Sequence, residues 1–353
     1  MAKIAILADT HFGLKNDSPI VLNYFSTFFR EVFFPAIDER GIRTVIHLGD
    51  LVDRRKSIGF LTAKTMREQY IEESSIRGLT THIIVGNHDG FYKNTNEVNA
   101  LGELLRDQNF KVYADPAEFK IGSTTFAAVP WVTMDNERAV REFVDKTTAS
   151  IMVAHLELPG FEMDSGQVCS TDVNAFIVPS LAKFDMVLSG HFHHKSERGN
   201  VKYLGSPYDM NISDTWVTKG FHILDTTTNT LEFIPNHEKL FYQLMYDGTT
   251  DLDQNLSHLQ DKYVRLVINE KNDLFRYERF FHRVERSNPA ALKVVDRTEL
   301  QFTGELGTAN TSVMDTQTII NGYVDALAST SVDKELLKRY IADLYAKAQL
   351  VVD

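Results

Sequence analysis

The chain has 353 residues, 43% hydrophobic and 24% charged, with a formal net charge of -11. Those proportions exclude a wholly disordered or collagen-like chain, and at about 150 residues per domain the length suggests two domains, or one large one with an appendage. No window approaches the ~18 consecutive apolar residues of a membrane helix, and an acidic average leaves any nucleic-acid affinity in need of a local source of positive potential.

Lys3 to Ala8 reads as a buried strand; Asp9 interrupts it and no cleavage pattern follows, so it is not read as a signal peptide. Residues 20–40 read as a long helix stopped by Gly41, with Val21, Phe25, Phe28, Phe29 and Val32 at helical spacing. Arg43 to Leu48 is the next strand, residues 60–77 the next helix, and Thr80 to Val85 a third strand. These two helices read as ordinary packing elements, with an exposed apolar stripe as the other reading. After residue 110 the helical pattern thins, and Thr124 to Val129, Ser150 to Ala154, Phe184 to Leu188 and Val201 to Leu204 read as short strands. Pro130-Trp131 is expected to cap a strand and pack on the core. Cys169 is the only cysteine, which rules out an intramolecular disulfide and fits a reducing cytoplasm. Gly220 to Phe233 reads as a hairpin turning at Asp225 to Thr230, and a mixed α/β domain over residues 1–235 closes there.

Residues 238–303 read as a smaller α+β unit: strands Leu240 to Tyr246 and Tyr263 to Asn269, a helix over 273–287, then a further strand pair. Residues 262–297 hold nine Lys/Arg against five acids, a local net charge of +4. The helix there carries Arg276, Arg279, Arg283 and Arg286 at spacings of three and four, a stripe suited to phosphate-backbone contact or to a solvated face paired with Glu278 and Glu285. Residues 304–315 read as a flexible linker, and residues 316–353 as two helices, 316–328 and 332–349. The second has Leu337, Tyr340, Ile341 and Leu344 on one face, opposite Lys334, Lys338, Arg339 and Asp343, with Thr330 and Asp333 as a capping box.

Five polar motifs fall just past strand ends: Asp9-Thr10-His11, Gly49-Asp50-Leu51-Val52-Asp53, Gly86-Asn87-His88-Asp89, His155, and Gly190-His191-Phe192-His193. Ligands bind at that edge of open α/β sheets, where the loops converge. The pooled donors are carboxylates, imidazoles and one carboxamide without thiolate, a mixture that suits Mn, Fe or Zn better than Ca or Mg. They are too many for one ion, and a pair of divalent cations needs a bridging carboxylate. His47 and His82, lone in apolar strands, read as hydrogen-bonded core residues.

The order D-x-H, GD-x-x-D, GNHD, H, GH-x-H resembles the calcineurin-like metallophosphoesterases, and the whole chain is similar to their SbcD-type nucleases of double-strand-break repair. The resemblance implies an α/β fold, a two-sheet sandwich flanked by helices, with a small capping domain and C-terminal helices. It implies two divalent ions, manganese foremost with Mg, Fe or Zn as other choices. Asp9, His11, Asp50 and His193 would hold one; Asp50, Asn87, His155 and His191 the other, with Asp50 bridging. His88 would stand over the phosphate as acid or charge stabiliser, with Asp53 pairing it in a dyad that raises its pKa. His194 would be a solvated or phosphate-facing neighbour.

The implied activity is exo- and endonucleolytic hydrolysis of duplex DNA ends, in a complex with an SbcC-type coiled-coil ATPase that docks on the last helix. An alternative of the same superfamily is a phosphoprotein phosphatase, suggested by Gly49 to Arg54 but opposed by Asp89 where those enzymes carry Glu. A third reading is a non-catalytic scaffold that tethers the ATPase to DNA.

Overall fold

Alternation of side chains at a period of two builds the layers. In β1 (Lys3–Leu7), Ile4 and Ile6 join one buried cluster while Ala5 and Leu7 join another. A computed structural model describes residues 2–106, 109–163, 168–171, 173–298, 324–325 and 333–349. β1 pairs in parallel with β2 (Thr44–His47), which continues to β3 (Thr80–Ile84) and β4 (Phe110–Tyr113). A second sheet has β5 (Ala117–Ile121) antiparallel to β6 (Thr124–Val129), then β7 (Ile151–His155) and β8 (Met186–Gly190) parallel to it. β9 (Ser196–Arg198) and β10 (Val201–Tyr203) close that sheet's far edge. The hairpin of β11 (Lys219–Asp225) and β12 (Thr230–Asn236) returns to the first sheet, antiparallel to β1. Ile4, Ile6, Ile46 and Ile84 of the first sheet meet Phe126, Val153 and Leu188 of the second in one core.

The first long helix, α1, spans residues 19–39 as Pro19–Phe28, a π-turn Phe29–Phe33, and Phe34–Glu39. Pro35 cannot bond the carbonyl four residues back, and the wider turn before it absorbs the misfit. Its aromatic stripe is consumed by the core: Phe25, Phe29 and Phe33 are 0% exposed. The helix over residues 60–76, α2, instead leaves Phe60 96% and Ile76 76% exposed. A third helix, α3 (Glu137–Lys146), was not expected from the sequence. It buries Val140 and Val144 against the outer face of the second sheet, and two valines in ten residues are a weak signal.

The third sheet is β13 (Phe241–Tyr246), β14 (Tyr263–Ile268) and β15 (Ala291–Asp296), all parallel, with α4 (Leu274–Arg286) on one face around Phe280 and Val284. Of the further strand pair expected after the helix, the described residues contain β15. The chain divides into two compact units, residues 1–297 and residues 298–353. The expected linker at 304–315 and most of the helix at 316–328 lie outside the described residues. In the second unit α5 (Lys334–Gln349) is capped by Asp333 itself, whose Oδ1 accepts from the backbone N–H of Glu335 and Leu336 at 3.0 and 3.1 Å. Leu336 and Tyr340 are exposed, and Leu337 and Ile341 half-buried. None of the helices among the described residues is long and apolar enough to cross a membrane.

Candidate metal centre

β1, β2, β3, β7 and β8 are mutually parallel within their sheets, so their C-terminal ends bring all five motifs to one edge. Four of the residues there adopt the left-handed region without being glycine: Asp9, His11, Asp50 and His191, with φ of 52, 44, 54 and 91°. Such strain persists where surrounding structure over-determines it, and Asp89 is the brace. Its buried carboxylate accepts from the backbone N–H of Gly86, Asp50, Leu51 and Val52 at 2.8 to 3.2 Å. Gly86 has no room for a side chain, since a Cβ would stand 2.2 Å from Asp50 Oδ1.

Asp50 stands between two groups. On one side Asp9, His11 and His193 bring donor atoms within 4.8 Å of one another, and His11 Nε2 is 3.6 Å from Asp50 Oδ2. On the other, Asp50, His155 and His191 do the same, with His155 Nε2 3.3 Å from Asp50 Oδ2. Asn87 Oδ1 lies 2.9 Å from His155 Nε2 and 3.0 Å from His191 Nδ1. Asp9, His11, Asp50 and His155 are buried; Asn87, His191 and His193 are half-buried.

These residues fit divalent cations. His155 Nδ1 donates to the Leu48 carbonyl at 2.7 Å, so in the neutral ring Nε2 carries the lone pair, aimed at two oxygens that only accept. Asp9 Oδ2 is buried with no hydrogen-bond partner among the described residues. Converging acceptors in a buried site call for a proton or a cation. Without metal the protein supplies protons. Burial works against a charged His155, but Asp50 and Asp9 outweigh it and raise the ring to about 9. Burial lifts the Asp9 carboxyl to about 6, opposed by His155 and helped by Asp50. Burial alone would raise Asp50, yet His155 and His11 hold it well below the carboxylate range. Burial, with His11 and Lys219 nearby, keeps His193 well below the usual imidazole range.

A metal bound through His155 would have to displace that proton. Manganese uptake between pH 7 and 9 is expected to release at least one proton and to tighten about tenfold per pH unit. Calorimetry in buffers of differing ionisation enthalpy measures this, and an affinity flat over that range would contradict the ligand role of His155.

His88 and Asp53 are arranged differently from the expected dyad. His88 Nδ1 lies 2.5 Å from the backbone carbonyl of Asp53, while the Asp53 carboxylate lies 3.5 Å from His11 Nδ1. The carboxylate stays within 4.8 Å of His88 without a hydrogen bond to it. His194 also departs from expectation: it is buried, with Nε2 2.8 Å from Asp214 Oδ1, a carboxylate shared with Lys219. His47 and His82 are core side chains, bonded to Thr10 Oγ1 at 3.0 Å and to the Tyr113 hydroxyl at 2.8 Å.

Sequence reasoning missed two neighbours. Trp131 does not simply cap a strand; its ring stands 5.0 Å from His191 and 5.9 Å from His155, walling the site. Glu157 Oε2 is 3.6 Å from His191 Nε2. A polar residue two places past His155 was the available signal for Glu157.

The arginines of α4 are not a free stripe. Arg276 and Arg283 donate to the carbonyls of Thr250 and Gln254 at 2.6 and 2.9 Å, and Arg279 is 3.5 Å from Asp253 Oδ1. The loop between β13 and β14 supplies these acceptors, leaving Arg279 and Arg286 exposed.

Residues 2–195 match the family described as calcineurin-like phosphoesterase. The chain is 31% identical over 351 residues to "Exonuclease subunit 1" of Enterobacteria phage T4, covering 98% of this chain and 99% of that one. Among solved structures, it is similar to an archaeal phosphodiesterase at 16% identity, covering 66% of this chain and 99% of that one with a TM-score of 0.34. Purple acid phosphatase PPD1 of yellow lupin is similar at 14% identity, covering 55% and 38% respectively with a TM-score of 0.35.

Proposed function

The chain belongs to the calcineurin-like phosphoesterases, hydrolases of phosphate esters, and from that premise we propose that it is a metal-dependent DNA nuclease. It would act as catalytic subunit beside an SbcC-type ATPase in the processing of duplex ends. The observation that carries this reading is the likeness to an exonuclease subunit along nearly the whole chain, third sheet and C-terminal segment included.

Asp9, His11, Asp50 and His193 would hold one cation and Asp50, Asn87, His155 and His191 the other. When bound, two such ions, manganese foremost, supply Lewis acidity and make water nucleophilic near neutral pH. The chain's own residues do the rest. The left-handed turns at Asp9, His11 and Asp50 aim their side chains before substrate arrives, so little reorganisation is left to the reaction. Trp131 shields the His155 side from solvent. His88 has Nδ1 fixed on a carbonyl, which leaves Nε2 to steady a phosphoryl oxygen or protonate the departing sugar oxygen.

The exposed Leu336 and Tyr340, with Leu337, Ile341 and Leu344 on the same helix, would dock on the ATPase. Phe60 and Leu61 would serve a homodimer. Asp89, where phosphoprotein phosphatases carry Glu, argues against that alternative. The full ligand set argues against a non-catalytic scaffold. With manganese the full chain is expected to degrade a linear duplex and to leave a phosphopeptide intact. The opposite pattern would replace the nuclease reading with the phosphatase one.

A further inference from the structure

Of the nine Lys/Arg of residues 262–297 four lie on α4, and two of the others, Arg265 and Lys293, project from the opposite face of the third sheet. Val264, Leu266 and Leu292 pack on the α4 side, so strand alternation turns Arg265 and Lys293 the other way. There they are direct neighbours in the β14–β15 register. Like charges side by side on adjacent strands destabilise a sheet. Neither makes an ion pair among the described residues, and Arg265 Nε is buried without a partner.

Both line a cavity of about 270 Å³ together with Asn211, Phe241, Tyr263 and Lys15, and no carboxylate is among its described lining residues. Lys15 Nζ sits 5.6 and 5.8 Å from the ring centroids of Phe241 and Tyr263 and likewise has no acidic partner among the described residues. Three unpaired cations around one hollow are unusual in a chain of net charge -11.

Lys15 reaches that hollow on a strained turn. Lys15, Asn16 and Asp17 have φ of 57, 56 and 60°, three successive non-glycine residues in the left-handed region. The Asp17 carboxylate holds the turn through Thr62 Oγ1 at 2.5 Å and through Arg54, which follows Asp53. The loop that carries His11 thus runs directly into the turn that carries Lys15.

We propose that this cavity is a phosphate subsite that grips the DNA backbone away from the scissile bond, so that the strand bridges the metal-site loop and the third sheet. This assignment rests on the nuclease reading above. A free phosphate ion offers the same chemistry, but cations drawn from two separate elements suit a run of phosphates better than one ion.

Lys15 and Lys293 are exposed, so Lys15→Glu and Lys293→Glu are surface changes, and the Lys15→Ala/Lys293→Ala double variant removes both charges. In the full chain with manganese, each reversal is expected to raise KM on a linear duplex at least fivefold. The double variant should lower the salt slope of duplex binding by about 2, near 0.9 per lost phosphate contact. Hydrolysis of bis(p-nitrophenyl) phosphate, too small to reach the cavity, should stay within twofold. Wild-type KM and slope in all three variants would overturn the subsite. In a second arm, inorganic phosphate is titrated into the metal-free protein and followed by NMR. Phosphate binding that the variants abolish, beside an unchanged duplex KM, would assign the cavity to the free ion and overturn the strand assignment. A wild-type protein that cleaves the small diester but neither binds nor cuts duplex would overturn the nuclease reading itself, before any substitution is made, and this assignment with it.

Discussion

Asp50→Asn is expected to lower metal-dependent phosphodiester hydrolysis by about 10³-fold, since metal stabilisation of transition-state charge is worth several kcal/mol and each 1.4 kcal/mol is tenfold. The reason is positional. Among the described residues, Asp50 Oδ2 is the one carboxylate oxygen within 4 Å of both His11 and His155, at 3.6 and 3.3 Å. Asn keeps the volume and the Oδ1 that accepts the His88 backbone N–H at 2.7 Å, so the turn has no cause to collapse. What goes is the charge. Manganese per chain, measured by mass spectrometry after gel filtration, is expected to fall from two to one or none. The metal-free variant carries a second signature: burial then dominates at His155, and its imidazole should titrate below the wild-type value of about 9. A variant that keeps two ions and wild-type turnover would remove Asp50 from its shared position.

The motifs were legible because each joins an apolar run to a turn, and the strands delivered them to one edge without further instruction. Residue types gave the kinds of donor, carboxylate, imidazole and carboxamide, and the family resemblance supplied the assignment of each, His155 above all. What each donor faces did not follow, because that depends on backbone angles a sequence does not display. Asp53 lies three residues from Asp50 and looked placed to meet His88, yet the loop turns its carboxylate to His11 and its carbonyl to His88. The arginine stripe had a similar fate. Its spacing was visible, but the acceptors that engage Arg276 and Arg283 are main-chain carbonyls at residues 250 and 254, which any residue types would supply. Trp131 was assigned to packing because an aromatic after proline carries no mark of the imidazoles it will meet. Burial of α1 was legible as a stripe, but whether its own core or a second chain covers the stripe was not.

His88→Gln is expected to lower kcat by about 10²- to 10³-fold, within the range of a general acid or base, while leaving both ions in place. The contact with Asp53 decides this form of the prediction. A carbonyl oxygen can only accept, so His88 Nδ1 carries hydrogen, and Nε2 is the nitrogen free to act. Glutamine can occupy the space without offering a proton to a leaving group. Asp53→Asn should behave differently, because it keeps the carbonyl and so keeps the His88 orientation. Its effect should pass through His11, whose ring is raised above its ordinary pKa, against burial, by Asp53, Asp50 and Asp9. Metal affinity would therefore move in Asp53→Asn while kcat at saturating manganese stays near wild type, and the reverse should hold for His88→Gln. His11, Asp53 and His88 also bring donor atoms within 4.8 Å of one another, which gives the experiment a sharp alternative. If His88→Gln loses an ion along with turnover, His88 is a ligand, and the proton-donor role falls.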